Sequence, residues 1–308
     1  MSIFGFGKSY FETEGKLVVI SGGSQGVGAE FAKKLILKGA DVIIVARTEE
    51  KLKRKVEEIS GLKTNKDQII EYRCGDISKY EDCERIFNSI DRIPDIVVCC
   101  AGSSHPDLFL NLKAEFLQQG ISTNYNTALF FSHVASCKMA SAKDKTTKRH
   151  IVFFSSSVAF FSFIGYGAYS PLKAAVKSLA DCLRQELLPY NISVECVFPG
   201  NFASEGFAEE EKTKPEITKL IEGPSTPISC EKCCDIILAN LEKGYQYVTT
   251  DTAGYMLSCI SLGNSPRCWW WLQVLIAFVL SLIGPIIDWY MNLQITDYFT
   301  KNNDKKKD

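Results

Sequence analysis

Residues 17–28 read Leu17-Val18-Val19-Ile20-Ser21-Gly22-Gly23-Ser24-Gln25-Gly26-Val27-Gly28, an apolar β-branched run that passes through clustered glycines into a helical pattern. The run has no polar alternation, so it suits the middle of a parallel sheet covered on both faces. Glycines let the backbone approach a pyrophosphate closely, and the helix behind them presents free N–H groups at the positive end of its dipole. A glycine cluster alone is weak; one placed on the first strand–helix turn says more.

The same alternation recurs along the chain. Strands are expected at Leu17–Ile20, Val42–Val45, Ile69–Arg73, Ile96–Cys99, Ile151–Phe154 and Ser193–Val197. Helical periodicity fits Gly28–Leu37, Glu49–Ile59, Glu81–Ile90, Gln119–Ser141 and Tyr169–Leu188. The expected fold is α/β, a single Rossmann-like doubly wound parallel sheet with helices on both faces. Ligands then bind beyond the carboxyl ends of the strands, where strand order reverses. A length of 308 residues, 46% of them hydrophobic and 23% charged, suits one large domain with an appendage. We expect the main domain over 1–250, a polar loop at about 201–227 within it where a substrate would sit, and an apolar segment over 251–308. The net charge of −1 points to no nucleic-acid partner.

Residues 1–20 lack a basic region followed by a long apolar run and a cleavage site, so the twelve cysteines are expected as reduced thiols facing the cytosol. Their spacing suggests no metal site, and the scattered His105, His133 and His150 argue against a histidine-based centre.

Gly22-Gly23-Ser24-Gln25-Gly26 also fits G-x-S-x-G, the nucleophile elbow of esterases. That chemistry needs a histidine late in the chain, and none follows His150. The dinucleotide reading therefore stands, with Gly22, Ser24, Gln25, Gly26 and Gly28 as its cradle. An NAD site would carry an acid at the tip of the second strand, on the ribose hydroxyls. Here the strand ends in Ala46-Arg47-Thr48. Arg47 suits a 2′-phosphate, Lys51 adds a second charge one turn on, and NADPH is favoured. Asp76, with Ile77 beside it, follows the third strand, where a carboxylate meets the adenine.

Tyr169-Ser170-Pro171-Leu172-Lys173 sets a phenol and an ammonium on one helical face. A nearby cation is expected to lower the tyrosine pKa and allow proton exchange near neutral pH. Ser156, at the end of the strand Ile151–Phe154, can hold a carbonyl oxygen.

Together these motifs resemble the short-chain dehydrogenase/reductases over roughly residues 15–250. A narrower resemblance, to the 3-ketodihydrosphingosine (3-ketosphinganine) reductases, rests on Gly22–Gly26, Cys99-Cys100-Ala101-Gly102, Phe154-Ser155-Ser156 and Gly165-Tyr166-Gly167-Ala168-Tyr169. It also rests on Pro199–Phe207 and Thr213-Lys214-Pro215-Glu216-Ile217-Thr218, which lie outside the shared cofactor machinery. The resemblance implies that Tyr169 protonates the ketone, Lys173 lowers its pKa and binds the nicotinamide ribose, and Ser156 orients the carbonyl. It further implies that Asn124 holds a relay water, Pro199 and Gly200 line the nicotinamide pocket, and Ser204 bonds the carboxamide. The implied reaction is reduction of 3-ketosphinganine to sphinganine with NADPH. A steroid, retinoid or long-chain acyl ketone is the alternative substrate, and a non-catalytic NADPH-binding scaffold is a third reading. Three positions depart from the family pattern. Ser21 stands for a threonine and keeps its hydroxyl, Cys99 and Cys100 stand for asparagines that brace neighbouring strands, and Leu172 stands for a serine.

From Cys268 to Ile287 no residue is charged. As a helix this stretch would reach about 30 Å, the thickness of a bilayer core. Trp269–Trp271 and Trp289-Tyr290 flank it as interfacial belts would. The alternative is a buried C-terminal helix. Gly284-Pro285 offers a break, which would permit a re-entrant hairpin in place of a single span. Lys305 and Lys306 resemble a dilysine retrieval signal, which acts only from the cytosol. The implied location is the endoplasmic reticulum membrane, with the catalytic domain cytosolic. The expected partners are the membrane and a long-chain lipid ketone, and self-association is left open.

Overall fold

The computed structural model describes residues 9–304 apart from 225, 262 and 264, with side chains to 301. The dilysine pair, Lys305 and Lys306, lies outside the described residues.

Five strand–helix units build the core: β1 (Leu17–Ser21), α1 (Gly26–Leu37), β2 (Asp41–Ala46), α2 (Glu49–Ser60), β3 (Ile70–Cys74), α3 (Tyr80–Asn88), β4 (Ile96–Cys99), α4 (Ala114–Ile121), α5 (Thr127–Ala140), β5 (Arg149–Phe154), α6 (Ser170–Glu186) and β6 (Ile192–Phe198). Each expected strand is present within two residues of its expected ends. Between α4 and α5 the helix loosens into a π-helical turn at Ser122–Asn126. Beyond β6 come β7 (Phe202–Ala203), α7 (Glu205–Thr213), α8 (Glu216–Glu222), β8 (Ile228–Ser229), α9 (Cys230–Glu242), β9 (Tyr247–Thr249), α10 (Thr252–Ser261) and α11 (Trp270–Asp304).

The main sheet is parallel throughout, in the order β3-β2-β1-β4-β5-β6-β9. The order reverses between β1 and β4, so a crevice opens beyond their carboxyl ends. Successive side chains of a strand point to opposite faces. Accordingly Val18 and Ile20 pack with Phe31, Leu35 and Ile237 on one face, while Leu17 and Val19 pack with Phe87, Phe131 and Met139 on the other. These side chains are essentially fully buried, and each contributes about 1.5–3 kcal/mol relative to exposure. His150 is spent on structure, paired at 3.0 Å with Glu195 between β5 and β6.

Two expectations change here. The stretch 201–227 is not a loose loop, because α7 and α8 form within it. Ser204 caps α7 by accepting a hydrogen bond from the Phe207 N–H at 3.1 Å, and Pro215 starts α8. Its charged composition is divided between the exposed faces of two short helices and a buried cluster around Lys214. The seventh strand, β9, was not expected, since three residues carry no period.

At the C-terminus α11 runs unbroken through Gly284 and Pro285. The break that Gly284-Pro285 offered as an alternative is absent. Nor is α11 a buried core helix, because almost none of its apolar window is covered by the protein. It is long and apolar enough to cross a membrane.

All twelve cysteines are free thiols. Cys230 and Cys233 are separated by two residues, a spacing that zinc sites share, but Cys233 is buried in the core and Cys230 bonds the Ala203 carbonyl. Among the described residues no group of three ligands could hold a metal.

Candidate active site

A cavity of about 1740 Å³ opens at the carboxyl ends of β1, β4, β5 and β6. At one end lies the glycine turn. Gly22 sits at φ +71°, and a Cβ on Gly28 would lie 2.4 Å from the Gly22 carbonyl oxygen. Neither position accepts a side chain without moving the backbone that forms the turn. Gln25, the N-cap of α1, makes no side-chain cap, so the first N–H groups of α1 are left for a ligand. Ser21 holds the crevice open from below. Its hydroxyl donates to the Val98 carbonyl and accepts from the Cys100 and Ala101 N–H groups at 3.0 and 3.3 Å. This single hydroxyl braces β1 against the turn after β4, so the bracing does not depend on asparagine at 99 or 100.

Gly22, Ser24, Gln25, Gly26, Gly28, Arg47, Lys51, Asp76, Ile77, Ser156, Tyr169, Lys173, Pro199, Gly200 and Ser204 all line this cavity. Arg47 is exposed at the tip of β2 and pairs with no acid among the described residues. Lys51 is engaged, donating to Gln25 Oε1 at 2.7 Å and pairing with Glu205 at 3.6 Å. It ties the glycine turn to α7, a role additional to the phosphate contact expected from sequence. Asp76 accepts from the backbone and hydroxyl of Ser78, which holds its carboxylate at the rim. The uncapped helix, the side-chain-free turn and the unpaired guanidinium fit a phosphorylated dinucleotide.

Toward the other end stand Ser156, Tyr169 and Lys173. Tyr169 caps α6, Pro171 fits its first turn, and Lys173 follows one turn later with its N–H on the Tyr169 carbonyl at 3.1 Å. Lys173 Nζ lies 5.5 Å from the centre of the Tyr169 ring and donates to the Phe154 carbonyl at 3.0 Å. Ser155 fixes α6 against β5 by donating to the Lys173 carbonyl at 2.7 Å.

The electrostatics differ from the sequence expectation. Burial raises the Tyr169 phenol above its ordinary value, and the nearby Glu210 charge adds to the rise, while a hydrogen bond with Ser156 opposes it. Burial also lowers Lys173, to about 8. The expected lowering of Tyr169 by the ammonium does not appear, because deep burial governs both groups and Lys173 donates its hydrogen bond to the Phe154 carbonyl. Tyr169 stays protonated through the neutral range, the form that a proton donor needs.

Asn124 sits in the π-helical turn, where irregular helices often mark functional sites. Its amide is spent on backbone, donating to Ser103 and Gly120 carbonyls at 2.8 and 3.2 Å and accepting from the Ser103 N–H at 3.1 Å. It is buried and, unlike the others, does not itself line the cavity. A Cβ on Gly102 would meet both Asn124 Oδ1 and Lys173 Nζ, so the two side chains converge behind that glycine.

Other contributors were not singled out by sequence. Thr250, just past β9, accepts from the Gly200 N–H at 3.0 Å and so fixes the Pro199–Gly200 turn. Over the tyrosine, Tyr166 donates to Glu210, and Lys214 pairs with Glu210, Glu211 and Glu222. Burial holds Glu210 above the usual carboxylate range. For Lys214 burial is overcome by its carboxylate partners, which raise the ammonium. This network fastens α7 and α8 over the site. Its only sequence signal was the motif Thr213-Lys214-Pro215.

Comparison with known proteins agrees with the geometry. A family model described as short chain dehydrogenase matches residues 16–215. The 3-ketodihydrosphingosine reductase TSC10 of Debaryomyces hansenii is 46% identical over 96% of this chain and 92% of its own length. The reductases of that name from Yarrowia lipolytica and Saccharomyces cerevisiae are 44% and 39% identical, over 95% and 96% of this chain and 80% and 99% of theirs. Among solved structures, a short-chain dehydrogenase from Sphingobium yanoikuyae in complex with NADPH aligns with a TM-score of 0.68, at 19% identity, over 87% of this chain and 95% of its own. One from Burkholderia cenocepacia in complex with NADP aligns at 0.65, with 20% identity, over 80% and 93%. The likeness of fold, the family match and the near full-length relatives lead to one conclusion: the chain belongs to the short-chain dehydrogenase family.

Proposed function

We propose that this protein reduces 3-ketosphinganine to sphinganine with NADPH, a step of sphingolipid synthesis. The observation that carries the reading is the meeting of Ser156, Tyr169 and Lys173 in one cavity with the glycine turn and Arg47. Relatives that match nearly the whole chain bear the name of this activity.

When bound, NADPH supplies hydride to the ketone carbon. The glycine turn and the N-terminus of α1 hold the pyrophosphate, Arg47 and Lys51 take the 2′-phosphate, and Asp76 with Ile77 borders the adenine. Pro199, Gly200 and Ser204 shape the nicotinamide end. Ser156 donates a hydrogen bond to the ketone oxygen and orients it, and Tyr169 transfers its phenolic proton to that oxygen as negative charge develops there. Lys173, charged below about pH 8, favours the phenolate left behind and binds the ribose. Asn124 positions the relay that returns a proton, acting through the backbone it holds around Ser103 and Gly120.

Functionally, residues 1–250 form the reductase domain and 251–308 the membrane-associated segment. The cavity mouth is formed by α7 and α8, which we take as the lid through which a lipid ketone enters. A long alkyl chain gains roughly 0.8 kcal/mol per buried CH2, so such a substrate resides in the bilayer. The catalytic domain faces the cytosol at the endoplasmic reticulum membrane. Purified protein given NADPH and a 3-keto long-chain base should yield the amino-alcohol, detected by mass spectrometry, and far less of it with NADH. No product with either cofactor would overturn the proposal.

A further inference from the structure

The cavity does not end at Tyr169. It continues between α8, α10 and α11, past Leu220, Met256 and Ile260, to Leu280, Gly284, Ile287, Met291 and Gln294 of α11. Those five of the seven α11 positions on the cavity fall at intervals of four, three, four and three residues, so they form one stripe along a helix, and the other two, Asp288 and Tyr290, flank it. Four of the five, Leu280, Gly284, Met291 and Gln294, are partly covered, and Ile287 is 44% exposed. On the opposite side, Phe278, Leu282 and Trp289 are 63%, 64% and 62% exposed. A membrane anchor separate from the catalytic body would show no such division. Asp288, the first charge after the apolar run, is exposed and borders the same cavity.

We infer that α11 is the wall of the alkyl-chain site as well as the membrane element: its Leu280–Gln294 stripe lines the channel that holds the substrate's hydrocarbon tail, while the opposite face lies in lipid. The inference rests on the proposed reduction of a long-chain ketone. The occupant is a long alkyl chain, because the α8, α10 and α11 residues along this arm, Asp288 and Gln294 apart, are mostly apolar and the arm is continuous with the group that protonates the ketone. The substrate then passes sideways from the bilayer into the cleft without crossing water. Gly284 sets the bore. A side chain built there meets no atom within 4 Å, so a bulky residue would project into the channel without straining the helix.

Three variants of the full-length enzyme test this, assayed in mixed micelles with NADPH and a homologous series of 3-keto long-chain bases. Gly284→Phe should move the preferred substrate toward shorter chains, lowering the long-to-short ratio of kcat/KM by about tenfold or more. Ile287→Ala should move it toward longer chains. Leu282→Phe, on the lipid face, should keep the wild-type profile. NADPH titration confirms that each variant is folded. A uniform loss across chain lengths in Gly284→Phe, or an equal shift in Leu282→Phe, would overturn the inference while leaving the reductase reading intact. Wild-type enzyme inactive on every member of the series would instead sink the reductase reading itself.

Discussion

The chemistry turns on how burial treats three side chains. Ser156 lies beyond the end of β5 and Tyr169 and Lys173 on the first turn of α6, and the Ser155 bond to the Lys173 carbonyl locks the two elements together. Spacing alone gave the partners, since a phenol and an ammonium four residues apart share a helical face. It could not give their acidity, which depends on how deeply both are desolvated. The sign follows from the observed shift. With Lys173 lowered to about 8, its ammonium is present below that pH and lost above it. Ketone reduction should therefore be steady at neutral pH and decline as pH rises through about 8. A profile flat well beyond that point would separate Lys173 from the reaction. At the other end of the cleft, Arg47→Ala should weaken NADPH by about 10- to 100-fold relative to NADH, as loss of charged hydrogen bonds predicts. Equal losses in direct titrations of the two cofactors would remove Arg47 from the 2′-phosphate.

Elements were legible in proportion to their period. Six strands of four or more residues and the helices up to α6 announced themselves, because continuous apolar runs and amphipathic stripes are local signals, whereas α9 and α10 lay outside the expected helices. The strand β9, three residues long, and the helices α7 and α8 did not announce themselves. Their order comes from tertiary pairing: β9 from its ladder with β6, and α7 and α8 from the cluster around Lys214. That cluster carries a cost if broken. Lys214→Met would leave Glu210 buried without its cation, a change worth roughly 3–5 kcal/mol. The expected result is faster amide exchange confined to residues 205–222 and a higher KM for the ketone. Unchanged exchange there would show that the ion cluster does not secure the lid. The π-helical turn at Ser122–Asn126 is likewise invisible to a 3.6-residue period, although Asn124 itself was readable from the motif around it.

At the scale of the molecule, a dinucleotide fold and a long apolar helix meet around one cavity. Composition revealed the helix, but its two faces were hidden, because both are apolar and only packing tells them apart. At 35 residues, α11 would extend about 50 Å, well past the hydrocarbon core. Charges placed on its outer face, as in the double substitution Phe278→Glu with Leu282→Glu, should reduce liposome co-sedimentation by at least about tenfold. Undiminished binding would locate the membrane contact elsewhere. The central claim, that a buried phenol hands its proton to the ketone, is tested most directly by Tyr169→Phe. NADPH oxidation in the presence of 3-ketosphinganine should fall by about 100- to 10,000-fold, with the affinity for NADPH nearly unchanged. Turnover retained in that variant would contradict the account.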